Sequence, residues 1–553
     1  MRPLHTTSSD TRTLGEPRSD EQLVVDVVVI SGPDCSTSMS LAAGRYVLGR
    51  SAAALLRIED ARLGLHHAIV EISTDPNPAN GNGAVTAVVT VTQMSGQAPI
   101  RVWGEPLTGS QALELPARLS IGMSDVDITR HDPARRDGVQ PDDVRPSPDA
   151  ERTERAGPPA RIPVPDPQCD HGTAQATGLI GAAAAIPVVL VAAFLDYPLA
   201  ALAMAVGAVV STVAWFVGAM LTWRSNRRSD RVGDAKRTHF IERLSAERAA
   251  ERLRHLDDHA RLDQVITAAE RVASSPAAQG EFWSRRLRCD PASGRRVFRP
   301  IVGVGARRWS PMIEGQIGPD IATDIDRAST IADVPIPVEL ARGEMTAVVG
   351  DRSETEPLLR SMVAQLAVLH APDDWQLVIV SVDRARWEWA VAFPHIRSVI
   401  GSSLIIDPTE PDLLATSMVI ADCPLSRSTL LVVDDPSRLV RAHEALGGFM
   451  ERVEPATLII VERGAPVPGA CDAAIGVGST GAISISRQDG FDMADSASAV
   501  SMCGLSTRQA KRVARALASF ADSGRPGVLH PLDESPSSHR GPLPNWTASS
   551  SAL

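Results

Sequence analysis

Two long apolar runs near the middle of the 553-residue chain limit most strongly what it can fold into. They cover residues 177–195 and 199–223, carry no charge, and are separated by the tripeptide Asp196-Tyr197-Pro198. Each has about the twenty residues that crossing the hydrocarbon core of a bilayer requires, and neither has the polar face of a surface helix. The sequence therefore predicts a transmembrane helical hairpin. The alternative is one buried helical hairpin inside a soluble domain.

The charges next to the second run predict the orientation of this hairpin. Four arginines follow it directly, at positions 224, 227, 228 and 231, and such clusters stay on the cytoplasmic side. Because two spans return the chain to its starting side, both flanking parts are expected in the cytoplasm. We therefore expect a two-pass protein of the inner (plasma) membrane. The first twenty residues lack the apolar core of a cleavable signal peptide.

Composition divides the rest of the chain. Segments that are too polar to bury a core are predicted to be disordered: they are residues 1–19, the linker 132–172 and the tail 522–553. Apolar residues recur at three- and four-residue steps over 233–274, which predicts a helical stalk, either a self-associating coil or a helix docked on the next domain. A net charge of −11 gives no basic field, so direct nucleic-acid binding is not expected.

Cysteine and lysine usage excludes two kinds of chemistry. The six cysteines are scattered, without a C-x-x-C pair and without histidine at metal-ligand spacing, so neither a disulfide framework nor a metal site is expected. The two lysines of the chain are Lys236 and Lys511. An activity that needs a lysine to grip phosphate between residues 237 and 510 is therefore excluded.

The region 20–131 has the pattern of a β-sandwich. Short β-branched runs at 22–30 and 84–92 alternate with clusters of Gly, Asn and Pro. Three motifs, Gly44-Arg45-Tyr46-Val47-Leu48-Gly49-Arg50, Leu63-Gly64-Leu65-His66-His67-Ala68 and Val102-Trp103-Gly104-Glu105-Pro106-Leu107 with the later Ile121-Gly122, resemble those of forkhead-associated (FHA) domains.

This resemblance implies a site for phosphothreonine, in which an arginine and a serine grip the phosphate and an asparagine holds the peptide backbone. Arg50 matches the arginine and His67 matches a structural histidine of the family, whereas Gly64 stands at the serine position and Ala98 near the asparagine position. Two of the three ligand contacts are thus missing. Both phosphopeptide recognition and phosphate-independent docking stay open.

The region 282–521 alternates apolar strands with amphipathic helices. Strand-like runs at 346–350, 375–382, 429–433 and 456–461 and a helix over 356–370 predict an α/β fold with a doubly wound parallel sheet. Ligands of such sheets bind beyond the carboxyl ends of the strands, where Gly350 and Asp434 are expected.

Several motifs here resemble type VII secretion ATPases of the FtsK/SpoIIIE class, but only their N-terminal portion. They are Phe282-Trp283-Ser284-Arg285-Arg286, Val302-Gly303-Val304-Gly305, Trp387-Glu388-Trp389 with Phe393-Pro394-His395, and a closing helix over 504–520. The order of an FHA-like unit, a membrane hairpin, a stalk and an ATPase-like domain also matches some members. The resemblance implies a P-loop-like α/β domain over 282–521.

The phosphate-binding loop departs from that family. A working loop reads G-x-x-x-x-G-K-[ST], in which the lysine meets the β and γ phosphates and the hydroxyl holds Mg²⁺. From Gly350 the chain instead has Thr355, Glu356 and Pro357 at the last three positions. Because a carboxylate replaces the cation, ATP and Mg²⁺ are not expected as cofactors, no catalytic residue is assigned, and the domain is predicted to be a pseudo-ATPase.

A second acidic motif follows an apolar strand. Asp434 and Asp435 end the run Leu430-Leu431-Val432-Val433 as a Mg²⁺-holding acid would. The alternative is a strand-ending turn that caps the next helix.

Together these features predict a non-catalytic, membrane-anchored scaffold or regulatory component of a type VII secretion-like or FtsK/SpoIIIE-like translocation machine. Its expected partners are the membrane and a motor ATPase or other secretion-complex subunits, and it can also form a homo-oligomer. Two alternatives stay open. One is a subunit of a split translocating ATPase that needs a partner chain for hydrolysis, and the other is a phosphopeptide-sensing membrane adaptor.

Overall fold

A computed structural model places the chain in two compact units, one of residues 1–152, 259–305 and 335–553 and the other of residues 153–258 and 306–334. The structure describes residues 24–74, 87–94, 99–131, 161–164, 213, 216, 217, 220, 224, 234–256, 262–274, 283, 288–289, 296–396, 404–407, 427–434, 450–487 and 500–518. The predicted disordered segments 1–19 and 522–553 lie outside these residues.

The N-terminal part of the first unit is the predicted β-sandwich. Its strands are β1 (Val24–Val29), β2 (Ser38–Ala42), β3 (Gly44–Gly49), β4 (Leu56–Arg57), β5 (Ala68–Thr74), β6 (Ala87–Gln93), β7 (Ile100–Val102), β8 (Glu105–Pro106), β9 (Ser110–Leu113), β10 (Ala117–Ile121) and β11 (Ser124–Arg130). One sheet has the order β2-β1-β11-β10-β7-β8 and the other β4-β3-β5-β6-β9.

Side-chain alternation explains why these runs form a sandwich. In β1, Val25, Val27 and Val29 are buried while the residues between them are only half-buried, the period of two that one buried sheet face demands. The inward residues of both sheets form one apolar core. The predicted runs 22–30 and 84–92 are therefore confirmed as strands, with shifts of a few residues at their ends.

The C-terminal α/β domain of the first unit is built on a large sheet. In chain order, the strands from residue 162 onward are β12 (Ile162–Pro163), β13 (Arg288–Cys289), β14 (Arg296–Phe298), β15 (Ile301–Arg308), β16 (Ile313–Glu314), β17 (Thr330–Pro337), β18 (Leu340–Ala341), β19 (Met345–Val349), β20 (Trp375–Val380), β21 (Ile405–Ile406), β22 (Ser428–Val433), β23 (Ala456–Val461), β24 (Ala473–Val477), β25 (Ala482–Arg487) and β26 (Val500–Met502).

Within the described residues the large sheet has the order β17-β15-β26-β25-β24-β19-β23-β22-β20-β21. The strands from β24 to β21 are parallel to their neighbours, whereas β24, β25, β26 and β15 pair antiparallel. The predicted α/β class is thus confirmed, but the sheet is mixed. Every residue of β20, β22 and β23 is buried, which explains their unbroken apolar sequences.

The helices are α1 (234–256), α2 (Leu262–Ser274), α3 (Pro319–Ala328), α4 (Arg352–Leu369) and α5 (Thr507–Ala518), with 3₁₀ helices at Arg384–Ala390 and Pro394–Ile396 and a helical turn at 450–453. The predicted stalk 233–274 therefore contains two described helices. Leu262, Val265 and Ala269 of α2 are buried in the core of the α/β domain, which favours the docked-helix alternative for this part.

The second unit contains α1, α3 and a two-stranded parallel pairing of β12 with β16. Arg237 of α1 donates to Asp324 of α3 at 2.7 Å. The pairing of β12 differs from the predicted disordered linker, because Ile162 is buried and Val164 donates to the Glu314 carbonyl. The rest of the linker, 132–160 and 165–172, lies outside the described residues.

The two predicted membrane spans fall almost entirely outside the described residues. Val213, Phe216, Val217 and Met220 of the second run are helical and exposed. Among the helices that the structure describes, none combines the length and the apolar character that a membrane span requires. The hairpin therefore stays a prediction.

Within the first unit, the sandwich contacts the α/β domain through the turn between β1 and β2. The Gly32 amide donates to the Met502 carbonyl, and the Gly504 amide donates to the Gly32 carbonyl. Gln509 of α5 donates to Thr37 Oγ1 at 3.2 Å, and Cys35 is buried in the core of the α/β domain. The turn thus extends the core across the boundary between the two folds.

Candidate functional site

The predicted nucleotide site lies where β19 leads into α4. Helix α4 begins at Arg352, four residues before the predicted start, so a helical turn replaces the expected phosphate-binding loop. Asp351 is the N-cap residue, and its amide donates to Glu354 Oε2 at 3.1 Å. A carboxylate three residues after an acidic N-cap stabilises a helix start, which explains the early beginning.

The four loop residues predicted from the motif lie together at this helix start. Gly350 directly follows β19, and a Cβ there would lie 3.0 Å from the Val477 carbonyl oxygen. Thr355 is fully buried, Glu356 pairs with Arg386 at 3.2 Å, and the Pro357 carbonyl accepts from Leu505. Each therefore has a packing or pairing role within the protein itself.

Asp434 is the centre of a hydrogen-bond network at the end of β22. Its Oδ1 accepts from Arg352 Nη1 at 2.5 Å, and its Oδ2 accepts from Ser381 Oγ at 2.7 Å and Trp387 Nε1 at 3.0 Å. Burial alone would raise the pKa of Asp434, but the hydrogen bonds from Arg352, Trp387 and Ser381 outweigh it and lower the pKa. Both carboxylate oxygens are thus used by side chains of the protein.

A second arginine joins Asp434 to the loop residues. Arg386 lies 3.6 Å from Asp434 Oδ2 and also pairs with Glu356. The structure therefore brings Glu356 and Asp434 together through a shared guanidinium group. Asp435, the other predicted acid, lies outside the described residues, and so does the helix that the alternative turn would cap.

Glu354 carries a second buried negative charge in the first turn of α4. Its side chain is fully buried. Arg463 pairs with its Oε2 and also donates to the Val477 carbonyl, while Arg62 of the sandwich donates to Oε1 at 3.1 Å. A buried carboxylate is stable only when it is paired, and here the cations come from both folds of the first unit.

This arrangement places carboxylates where an ATP-binding domain places phosphates. The amino end of a helix attracts negative charge, and in α4 that end holds Asp351 and Glu354. Arg463 pairs with both of them, and Arg352 is bound to Asp434. Among the described residues, the charges at this edge thus neutralise one another within the protein.

Two of the three FHA-like motifs, 44–50 and 63–68, lie against each other in the sandwich. The Arg50 amide donates to the Gly64 carbonyl, and the Ser51 amide donates to the Leu65 carbonyl, each at 3.0 Å. A Cβ on Gly49 would lie 2.3 Å from the Leu65 carbonyl oxygen, so only glycine permits this approach. Arg50 and Leu65 are exposed. We call Arg50, Ser51, Gly64 and Leu65 the Arg50 face.

His67, which the resemblance matches to a structural histidine, lies beneath the Arg50 face. It is fully buried, and its Nδ1 accepts from the Gly64 amide at 3.1 Å. Ala98 lies outside the described residues. The structure thus brings Arg50, Gly64 and His67 together, with no side chain at the Gly64 position.

Sequence reasoning missed the arginines that neutralise the two buried acids. Arg62, Arg352 and Arg463 have no motif, because an ion pair between residues far apart in sequence leaves no local pattern. One local signal was available: Asp351-x-x-Glu354 is the spacing of a reciprocal helix cap, and it indicates that the helix begins before Glu356.

Comparison with known proteins gives a partial relationship. No family model matches the chain. The ESX-4 secretion system protein EccC4 of Mycobacterium tuberculosis is 34% identical over 128 residues, or 21% of this chain and 10% of the relative. The ESX-5 protein EccC5 of Mycobacterium marinum is 25% identical over 178 residues, 29% of this chain and 12% of the relative. Over these segments, the chain is a distant relative of the EccC proteins. It matches only about a tenth of their length.

Solved FHA domains are structural neighbours over about a fifth of the chain. The FHA domain of CT664 from Chlamydia trachomatis covers 20% of this chain and 99% of its own, at 15% identity and a TM-score of 0.17. The FhaA FHA domain, solved with the intracellular domain of Rv3910, covers 19% of this chain and 98% of its own, at 16% identity and a TM-score of 0.15. These TM-scores are too low to bear on function.

Proposed function

We propose that the chain is a non-catalytic, membrane-anchored scaffold or regulatory component of a type VII secretion-like assembly. The observation that carries this proposal is the pairing of Asp434 and Glu354 with arginines of the same chain at the edge where nucleotide would bind. The distant relationship to EccC supports the pathway, and the apolar runs 177–195 and 199–223 support the anchor.

The electrostatics support an absence of hydrolysis. A Mg²⁺-holding acid needs lone pairs for the metal or its waters, but Asp434 accepts three hydrogen bonds. A triphosphate at the start of α4 would meet the carboxylates of Asp351, Glu354 and Glu356. Breaking the ion pairs of Glu354 to make room for the phosphates would leave its buried charge without a partner, which is costly.

The proposed partners follow from the proposal that the chain is a non-catalytic scaffold. The sandwich would dock a cytoplasmic protein, and the α/β domain would pack against a motor ATPase or another secretion-complex subunit. A chain without its own hydrolysis would act by positioning these partners at the membrane.

The test uses the full chain, purified in detergent. Binding of a fluorescent ATP analogue with Mg²⁺ and release of phosphate are measured for the wild type and for Asp434→Ala. We expect neither saturable binding nor turnover above background for either protein. Turnover by the wild type that Asp434→Ala abolishes would overturn the proposal. Turnover that appears only with an added motor chain and requires Asp434 would instead support the split-ATPase alternative.

The exposed Arg50 side chain favours a second candidate, a phosphopeptide-sensing adaptor. Phosphothreonine peptides are tested for binding to the full chain by fluorescence anisotropy. If this candidate holds, Arg50→Ala abolishes binding, whereas the control Arg45→Ala, which changes an exposed arginine on β3, five residues before Arg50, does not. Equal binding of the unphosphorylated peptide would argue against it.

A further inference from the structure

The loop of residues 58–67 joins two places of interest in the first unit. Two of its residues, Gly64 and Leu65, belong to the Arg50 face. Two residues before Gly64, Arg62 leaves the sandwich and pairs with the fully buried Glu354 of α4. One short loop therefore connects the surface that resembles a peptide-binding site with the turn that replaces the phosphate-binding loop.

This loop is held rigidly between those two places. The Asp60 carboxylate is fully buried and accepts from the amides of Arg62 and Met123 and from Ser124 Oγ, at 2.7–3.0 Å. The Leu63 amide donates to the Asp60 carbonyl, and the Leu63 side chain is buried in the sandwich core. A segment with so many fixed groups moves as one piece.

The Arg62 contact is also the one that Glu354 can lose without the sandwich unfolding. The Arg62 side chain is 46% exposed, whereas that of Glu354 is 0% exposed. Withdrawal of the Arg62 side chain would return its guanidinium group to water at little cost, but would leave one oxygen of the buried Glu354 carboxylate unpaired. Loss of the Arg62 contact therefore destabilises the first turn of α4, which contains Glu354.

We propose that the 58–67 loop couples the Arg50 face to the first turn of α4, so that a displacement at the face withdraws Arg62 from Glu354 and loosens residues 351–357. The coupling requires only the Arg62 contact and therefore holds whether or not the chain binds nucleotide. Because coupling between two sites is reciprocal, a change at Glu354 must also alter the Arg50 face.

Hydrogen exchange on the full chain tests both directions. Gly49→Ala displaces the Leu65 carbonyl, and Arg62→Gln removes the contact; each is expected to speed amide exchange in 352–358 roughly tenfold. Glu354→Gln is expected to speed exchange of the Arg50, Ser51 and Leu63 amides. The control is Arg118→Gln, which breaks an ion pair with Asp127 inside the sandwich and should leave 352–358 at the wild-type rate.

Unchanged exchange in 352–358 in Arg62→Gln would overturn the proposal, and so would faster exchange there in Arg118→Gln. If Gly49→Ala does not fold, Arg62→Gln and Glu354→Gln decide the question between them. In the double variant Arg62→Gln, Glu354→Gln, the second substitution has already removed the negative charge that pairs with Arg62. Adding Arg62→Gln to Glu354→Gln should therefore change the exchange of 352–358 very little. Fully additive effects would show two independent local contacts instead.

Discussion

At the scale of single residues, the main feature is that two buried acids, Glu354 at the start of α4 and Asp434 after β22, have arginine partners. Asp434 is 4% exposed and its partner Arg352 is 28% exposed, so the pair is largely shielded from water. Exposed pairs contribute little to stability, but removing one member of a buried pair leaves a charge that the interior cannot solvate. Arg352 and Arg463 are thus needed for stability because Asp434 and Glu354 are buried and charged.

Arg352→Ala is expected to lower the free energy of unfolding by about 2–4 kcal/mol, because the Asp434 carboxylate stays buried but loses the guanidinium group that pairs with it. Chemical denaturation followed by tryptophan fluorescence measures the change. The control Arg299→Ala breaks an exposed pair with Glu339 and should cost less than about 1 kcal/mol. Adding Asp434→Asn to Arg352→Ala should recover part of the loss, and a double variant that is less stable than Arg352→Ala would contradict this account.

His395 is expected to make stability depend on pH. Burial lowers its pKa from 6.5 to about 3, so between these values the unfolded chain binds a proton that the folded chain does not. Stability should therefore rise with pH across this window, by up to about 1.4 kcal/mol per pH unit from this group. His395→Asn should flatten the slope, whatever it costs in packing against Trp375.

Unfolding free energies measured at several pH values between 4 and 7 test this dependence. The control is His66→Asn, which changes an exposed histidine of the sandwich and should keep the wild-type slope. An unaltered slope in His395→Asn would mean that other groups cause the dependence.

At the scale of elements, the strands were predicted from their sequences, whereas the start of α4 was predicted four residues too late. Unbroken apolar runs such as Ala456–Val461 coincide with buried parallel strands, because burial on both faces leaves a strong local pattern. The amphipathic pattern of 356–370 placed the start of α4 at Glu356, but the helix begins at Arg352, after the N-cap residue Asp351. The ion pairs around Glu354 and Asp434 join residues that only the fold brings together, so no local pattern could predict them.

Restoring the motif is therefore expected not to restore nucleotide binding. The triple variant Thr355→Gly, Glu356→Lys, Pro357→Ser recovers the consensus letters, but residues 352–354 stay in a helical turn that begins after the acidic N-cap residue Asp351 and contains the buried Glu354 carboxylate. We expect no saturable binding of a fluorescent ATP analogue. We also expect a lower melting temperature, because Glu356→Lys places a cation beside Arg360 and Arg386. Tight Mg²⁺-dependent binding would show that the loop can re-form.

At the scale of the first unit, the sandwich and the α/β domain share an interface that depends on close backbone approach. A Cβ on Gly504 would lie 2.8 Å from Pro357 Cβ and 3.2 Å from the Gly32 carbonyl oxygen. Larger side chains cannot fit there without separating the two folds. The same proline that removes the hydroxyl of the motif is thus part of this interface.

Gly504→Ala is expected to destabilise the chain by about 1–3 kcal/mol and to speed hydrogen exchange in both 31–37 and 500–509. The matched control is Gly469→Ala, since a Cβ at that position meets no atom within 4 Å. Thermal unfolding and hydrogen exchange measure both variants. Faster exchange on one side of the contact alone would mean that the folds do not depend on each other.

The contact between Gln509 and the turn that holds Cys35 joins residues 474 positions apart. A ribosome makes a protein from its amino end, so the sandwich leaves the exit tunnel long before α5 has been translated. Until α5 has been made, the Cys35 thiol and the backbone groups of this turn, which are buried in the folded chain, stay exposed to solvent. Newly made chains should accordingly hold Cys35 in a form that alkylating reagents reach, and that reactivity should fall once α5 has been made and has packed against the turn.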